Sequence, residues 1–316
     1  MPDCPARVLA LTSERAEAIR MLNSPAVPRE LMESSATASS DTIFDPPALS
    51  LRAIESWLAD AGCQLDCMVE TVDETASTNA DLMARAREAR FAQPVLRAAD
   101  FQYEGRGRQG RPWLALPRHA LLFSVGMPLT ELPASLPSIT LACGVALAEC
   151  LKDRGVDVQL KWPNDLRIGG RKLGGILSEL AVDDHAHYTL VMGIGINLHL
   201  EPSARQAIDQ PAIGLDEILP PSVVASEREA WIGRLAAAIL RTLEVFSREG
   251  FGAFRPRFNA LMEGRGREID ILDNGRVTLS GRLADVDGYG RLLVDVGGGA
   301  PRVVSVGDVS FRDAPP

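Results

Sequence analysis

The spacing of apolar residues divides the chain into helical and extended segments. Leu51, Ile54, Trp57 and Leu58 recur at helical intervals, and Gly62 closes a helix predicted over 51–61. Residues 68–72 read as a strand. Ser77 or Thr78 then caps a helix reaching about Arg90, with Leu82 and Met83 turned inward. Strands are expected near 95–103 and 120–127. Ser138 opens a helix to about Lys152, with Leu141, Val145, Leu147 and Leu151 inward. Residues 156–162 form a further strand, Asn164-Asp165 turns it, and another begins over 172–180. Residues 188–200 make a long apolar strand interrupted by Gly193 and Gly195. Ser226 and Glu229 have the spacing of a capping box for a helix that stops at Gly250. This order predicts an α+β architecture, a mixed β-sheet with flanking helices.

The pattern changes near Gly264. Short apolar runs then alternate with turn signals at Asn274-Gly275, Asp287-Gly288-Tyr289-Gly290 and Gly297-Gly298-Gly299. Asn-Gly between Ile269-Asp270-Ile271 and Val277-Thr278-Leu279 predicts a hairpin. Residues 265–313 are therefore expected to form a small β-barrel. At the other end, residues 32–50 are rich in Ser, Ala, Thr and Pro and read as a mobile linker, after a short helix expected over 8–22. The chain thus divides into a mobile N-terminal extension over 1–47, a large domain over 48–264 and a small one over 265–316.

Composition narrows the function classes. A hydrophobic content of 46% in 316 residues supports a sizeable core. The longest apolar run, 141–148, contains a glycine and a cysteine and is far too short to span a bilayer, so no membrane partner is expected. The N-terminus lacks a basic start and a long apolar core, unlike a secretory signal. Five cysteines without a Cys-x-x-Cys pair suit a reducing cytosol, which predicts a cytoplasmic protein. His185-x-His187 reads either as a metal pair on a strand or as a solvated hairpin beside Asp183-Asp184. The net charge of −9 argues against a general nucleic-acid coat. Residues 1–66 carry five arginines and no lysine against ten acidic residues, a net of −5, with no basic recognition helix.

Chemistry concentrates in Glu104-Gly105-Arg106-Gly107-Arg108-Gln109-Gly110-Arg111-Pro112-Trp113. Three glycines permit close backbone approach, and three guanidiniums supply forked donors for phosphate or carboxylate. The spacing Gly105-x-Gly107-x-x-Gly110 also satisfies a dinucleotide fingerprint, but Pro112 and Pro117 leave no helix after it. An Arg-Gly loop touching nucleic acid and a solvated charged turn are the other readings. The pentad Glu104 to Arg108 recurs at Glu263-Gly264-Arg265-Gly266-Arg267, so the loop decides nothing by itself.

Further segments decide it. Ser77-Thr78-Asn79, the Gly/Arg loop, Lys161-Trp162-Pro163-Asn164-Asp165-Leu166 and Gly170-Arg171-Lys172-Leu173-Gly174-Gly175-Ile176-Leu177, in this order along the chain, resemble the biotin protein ligases over residues 51–312. The resemblance implies an SH3-like C-terminal barrel and a catalytic domain of the class II synthetase type. It implies activation of biotin by ATP to biotinyl-5′-AMP, with Mg²⁺, and transfer to a lysine of a biotin carboxyl carrier protein. Many relatives carry an N-terminal DNA-binding domain; the acidic N-terminus argues that this half, and a DNA partner, are absent here. A homodimer stays open. A bifunctional ligase and repressor and a lipoate or octanoate ligase are the rival readings.

Lys172 falls at the family's active-site lysine, where an ammonium can bridge the biotin carboxylate and the α-phosphate. Arg106 and Arg108 align with its biotin- and phosphate-contacting arginines, and Arg111 with a further phosphate contact. Gly105 and Gly107 let the loop close over the adenylate. Ser77, Thr78, Asn79 and Gln102 match positions that hold the ureido head of biotin, although plain helix capping would also explain the first three. Lys161, Asn164 and Asp165 are ATP-side candidates, with Asp165 reaching Mg²⁺ through water and Asn197 assisting; a structural turn explains them equally well. Trp113 either stacks on adenine, closes the biotin pocket or belongs to the core. Arg312 matches a barrel residue that reaches the nucleotide in relatives.

Overall fold

The structure, a computed structural model, describes residues 44–63, 66–273 and 275–312. The helix expected over 8–22 and most of the linker lie outside them. Helix α1 (Leu51–Asp60) starts where the Ser50 side chain accepts the Ala53 N–H, and it buries Ile54 and Leu58. Strand β1 (Met68–Thr75), helix α2 (Thr78–Glu88) and strand β2 (Val95–Gln102) follow. Strand β3 (Ala120–Leu129) and helix α3 (Ile139–Lys152) lead to β4 (Gln159–Lys161), β5 (Asp165–Ile168), β6 (Arg171–Val182) and β7 (Tyr188–Asn197). These strands form one seven-stranded mixed sheet in the order β1-β2-β3-β7-β6-β5-β4. Only β1 and β2 run parallel.

The sheet is covered on both faces. Along β7 the side chains alternate: Leu190, Met192, Ile194 and Ile196 enter the main core, while Val191 joins a smaller cluster with Leu82, Met83 and Ala86 of α2. The main core is completed by α3 and by the long helix α6 (Arg228–Glu249), which buries Trp231, Leu235, Ile239 and Phe246. Short helices α4 (Pro202–Ala207) and α5 (Pro221–Ser226) precede α6, and α7 (Arg255–Leu261) follows it. Among the described residues no helix is long and apolar enough to cross a membrane.

The expected capping box at Ser226 and Glu229 does not form. Ser226 ends α5 and donates its Oγ to the Val223 carbonyl, while Glu229 accepts the Ser50 N–H at 3.1 Å. A tertiary contact thus takes the carboxylate that the local pattern assigned to the cap. Asn164 lies in the turn over 162–164 that joins β4 to β5, as expected, while Asp165 opens strand β5 opposite Lys161; the chain reverses again at Gly169 and Gly170, both at positive φ.

The small domain is an antiparallel five-stranded sheet of β8 (Glu268–Asp273), β9 (Arg276–Val286), β10 (Leu292–Asp295), β11 (Arg302–Val304) and β12 (Asp308–Phe311), in the order β11-β10-β9-β8-β12. It is the small barrel-like unit the turn signals predict. Asn274, half of the Asn-Gly hairpin signal, lies outside the described residues. Ile269, Leu283, Val294 and Val309 share the main hydrophobic cluster, and Trp162 Nε1 donates to the Gly290 carbonyl at 3.0 Å.

The stretch read as an N-terminal extension ends in residues that pack on the large domain. Phe44 is 9% exposed and belongs to the main core. Arg228 donates to the Pro47 carbonyl at 2.7 Å and to Asp100 at 2.7 Å.

Candidate active site

The first turn of α2, the end of β2, the Gly/Arg loop, β5–β6 and the end of β7 enclose a cavity of about 410 Å³. That volume suits a small-molecule site. Its wall is built from three groups of side chains.

The first group is polar and buried. Ser77, Thr78 and Asn79 are each under 5% exposed. Ser77 Oγ caps the helix by accepting the Ala80 N–H. Gln102 Oε1 accepts both the Thr78 N–H at 2.7 Å and its hydroxyl at 2.9 Å, and Thr78 Oγ1 lies 2.8 Å from Ser124 Oγ. Asn79 donates to Glu179 at 2.5 Å, while its Oδ1 is buried without a hydrogen-bond partner. A buried amide oxygen left unsatisfied is ready for a ligand donor. A side chain on Gly193 would collide with Asn79, and one on Gly195 would meet the Trp113 ring at 2.6 Å, so this part of β7 must be glycine.

The second group is the Gly/Arg loop. It follows β2 but enters a short turn at Arg108–Gly110 and then β3, so the helix of a dinucleotide fold is absent. The Gly105 carbonyl accepts the Trp113 N–H at 2.8 Å, and Gly107 donates to the Arg111 carbonyl at 2.8 Å. These bonds fold the loop into a tight hairpin. Gly107, Arg106, Arg108, Arg111 and Trp113 line the cavity; Gly105 is buried behind it. Arg108 reaches Asp308 of β12 at 3.2 Å, and Arg111 pairs with the same carboxylate. One acidic residue of the small domain thus holds two loop guanidiniums.

The third group surrounds Lys172. Its Nζ is 2.8 Å from Asp165 Oδ1 and 5.8 Å from the centroid of the Trp113 ring. Its N–H bonds to the Pro211 carbonyl at 2.8 Å, which brings residues 207–212 onto the cavity. Asn197 donates to the Ile213 carbonyl at 3.2 Å, and Asn164 to the Ile176 carbonyl at 2.9 Å, so both amides brace the wall they line. Lys161 also lines the cavity. Burial, chiefly, and the neighbouring Arg167 hold its ammonium below the usual lysine range.

Arg312 is not among the lining residues. It is spent on Asp270, with Nε 2.8 Å from Oδ1, and on Ser280. Residues that the sequence did not single out are Ser124, Glu179, Asp308 and the stretch 207–212. Asp308 lies within the segment Gly307-Asp308-Val309-Ser310-Phe311-Arg312, four residues before the arginine that the resemblance points to. Glu179 carries no local signal; only the pairing of β6 with β7 brings it to α2.

Comparison with known proteins agrees with this geometry. Residues 72–197 match the biotin/lipoate A/B protein ligase family, and residues 265–312 match the biotin protein ligase C-terminal domain. A biotin–[acetyl-CoA-carboxylase] ligase of Mycobacterium tuberculosis is 35% identical over 277 residues, covering 83% of this chain and 96% of that protein. The bifunctional ligase/repressor BirA of Escherichia coli is 30% identical over 239 residues, covering 75% of this chain and 72% of that protein. A structure of the Aquifex aeolicus biotin protein ligase in complex with biotin and ATP superposes with a TM-score of 0.60 at 26% identity, covering 78% of this chain and 99% of that one. The chain belongs to the biotin protein ligase family.

Proposed function

We propose that the protein is an ATP-dependent biotin protein ligase. A biotin carboxylate oxygen attacks the α-phosphorus of ATP, and the bond to pyrophosphate breaks. The amine of an acceptor lysine then attacks the acyl carbon of biotinyl-5′-AMP, and AMP leaves. The acceptor class is a biotin carboxyl carrier protein.

The observation that carries this reading is the pairing, in one cavity, of a neutral polar wall with a cationic one. Ser77, Thr78, Asn79 and Gln102 supply short donors and acceptors that suit a ureido ring. Arg106, Arg108 and Lys172 supply the positive charge needed to bring a carboxylate to a phosphate. Lys172 acts between the two anions, and Arg108 and Arg111 exchange Asp308 for phosphate as the Gly/Arg loop closes. Trp113 lines the cavity beside Lys172 and Gly195. Lys161, Asn164 and Asn197 support the ATP side.

A magnesium ion would be held here by Asp165 together with the ATP phosphates. It usually takes one or two protein carboxylates together with substrate oxygens, and Asp165 on the cavity wall fits that habit. When bound, it neutralises phosphate charge. Asp165 meanwhile fixes the Lys172 ammonium.

Lipoate lacks a ureido group and would leave the polar wall around Asn79 unpartnered, which disfavours the lipoate or octanoate reading. The net charge of −5 over residues 1–66 likewise disfavours a repressor role. The test is pyrophosphate release with ATP and biotin, lipoate or octanoate, followed by transfer to a carrier domain. Biotin alone should support both steps; turnover with lipoate in its place overturns the assignment.

A further inference from the structure

Outside the cavity, where β3 begins and β7 ends, His119, His199 and Glu201 gather at the domain surface. One nitrogen from each ring and a carboxylate oxygen of Glu201 lie within 4.8 Å of one another. Neither ring is loose. His119 Nε2 lies 3.1 Å from the Phe44 carbonyl oxygen, which can only accept, so Nε2 carries the proton of the neutral ring. The His119 Nδ1 lone pair remains, and that atom is buried without a hydrogen-bond partner. His199 Nδ1 lies 2.5 Å from Asp216 Oδ2, and its Nε2 faces Glu201 Oε1 at 3.3 Å.

This is how metal-binding histidines are normally held: the far nitrogen is anchored by a carboxylate or a backbone carbonyl, and the near one is left for the cation. Zinc bonds of about 2.0–2.1 Å at tetrahedral angles separate ligand atoms by roughly 3.4 Å. The His199–Glu201 pair already has that separation, at 3.3 Å. The His119 ligand nitrogen lies within 4.8 Å of the other two ligand atoms, so it must move inward to complete the set. Glu201 is 40% exposed, which leaves a route for entry. The Phe44 ring covers the cluster, stacked on His199 with centroids 5.0 Å apart and edge-on to His119 at 5.4 Å.

We propose that His119, His199 and Glu201 bind a divalent cation of the zinc class, with Asp216 and the Phe44 carbonyl orienting the two rings. Two imidazoles and one carboxylate suit zinc or cobalt better than calcium or magnesium. The role is structural. Such a cation joins the segment at Phe44 to the ends of β3 and β7 and to the stretch after Glu201. That stretch continues into residues 207–212 of the cavity wall.

The test titrates the full-length, metal-stripped protein with cobalt(II), read by visible absorption, and with zinc, read by calorimetry. The expected result is one cation per chain, with cobalt bands of a nitrogen/oxygen site and no thiolate-to-cobalt charge transfer. Glu201→Gln keeps size and hydrogen bonding at an exposed position and should lose the site without loss of fold. His119→Ala and His199→Ala should lose it too, and Asp216→Ala should weaken it about 10–100-fold. Zinc should raise the thermal midpoint of the parent and leave that of Glu201→Gln unchanged. A control with His185→Ala and His187→Ala should bind normally. The proposal is overturned if no stoichiometric cation binds. Binding that survives Glu201→Gln and His199→Ala together also overturns it, as does a thiolate signature removed by Cys63→Ser and Cys67→Ser.

Discussion

Lys172 Nζ lies 2.8 Å from Asp165 Oδ1 across the paired strands β5 and β6, with the two side chains 19% and 15% exposed. The lysine is therefore positioned before any substrate arrives. A flexible four-carbon stem would otherwise have to be ordered during the reaction, at an entropic cost of up to about 2 kcal/mol. Holding the ammonium on a partly buried carboxylate is the preorganisation that electrostatic catalysis requires.

Arg106 is exposed at the rim of the cavity and sits opposite Pro112 in the folded loop. Arg106→Gly should leave the fold intact and let biotinyl-AMP escape, because the loop closes poorly without that guanidinium. The measurement is labelling of arbitrary proteins at high concentration. A variant that labels only its carrier would remove the retention role from Arg106.

The sequence alone predicts that deleting residues 1–47 leaves ligase activity and thermal stability little changed. The packing of Phe44 and the Pro47 carbonyl moves that boundary. Deletion of 1–43 should leave ligase activity and thermal stability little changed, since that stretch carries few apolar residues at sustained spacing. Deletion through 47 should cost about 3 kcal/mol, the scale for removing a buried Phe. Equal denaturation midpoints for the two truncations would contradict this.

Arg228 and Asp100 form an ion pair with side chains 1% and 6% exposed. Arg228→Ala leaves the buried Asp100 carboxylate with only the Leu49 N–H at 3.3 Å and the more distant Arg118 at 3.8 Å, and should destabilise the protein by about 3 kcal/mol. Replacing both partners by apolar residues should recover much of that loss. A single variant as stable as the parent in urea would refute the argument.

Asp183 closes the β6–β7 hairpin by accepting the N–H groups of His185 and His187 and the His187 ring, each at 2.9 Å. The backbone bond from His187, first, holds its carboxyl down at about 2, against an ordinary 3.8. A depressed carboxylate stabilises the fold above its unfolded pKa and loses that contribution as pH falls through the folded one. The hairpin contribution should therefore disappear between about pH 4 and pH 2. Asp183→Asn should flatten that part of the stability profile; an unchanged acid limb would show that Asp183 contributes nothing there.

Most of the residues that line the cavity were legible in the sequence because they come in short runs whose spacing survives without tertiary knowledge. Ser77-Thr78-Asn79 opens a helix, and Lys172 precedes two glycines on a strand; both are local patterns. Glu179 and Asp308 reach the site only through strand pairing and domain docking, which no local pattern encodes. The same limit explains Ser226 and Glu229. A correct capping spacing lost to a contact with Ser50, far away in the chain. Arg312, a charge singled out for a ligand, is held within its own sheet by Asp270 and stands outside the cavity lining.

Adenylation should depend on the ammonium of Lys172. The most direct measurement is single-turnover pyrophosphate release from ATP and biotin by the parent and by Lys172→Ala, with folding of the variant checked by its thermal midpoint. Loss of this cation should remove about 3–4 kcal/mol of transition-state stabilisation, a fall of roughly 10²–10³ in rate. Release by a folded Lys172→Ala protein within a few-fold of the parent would contradict the account.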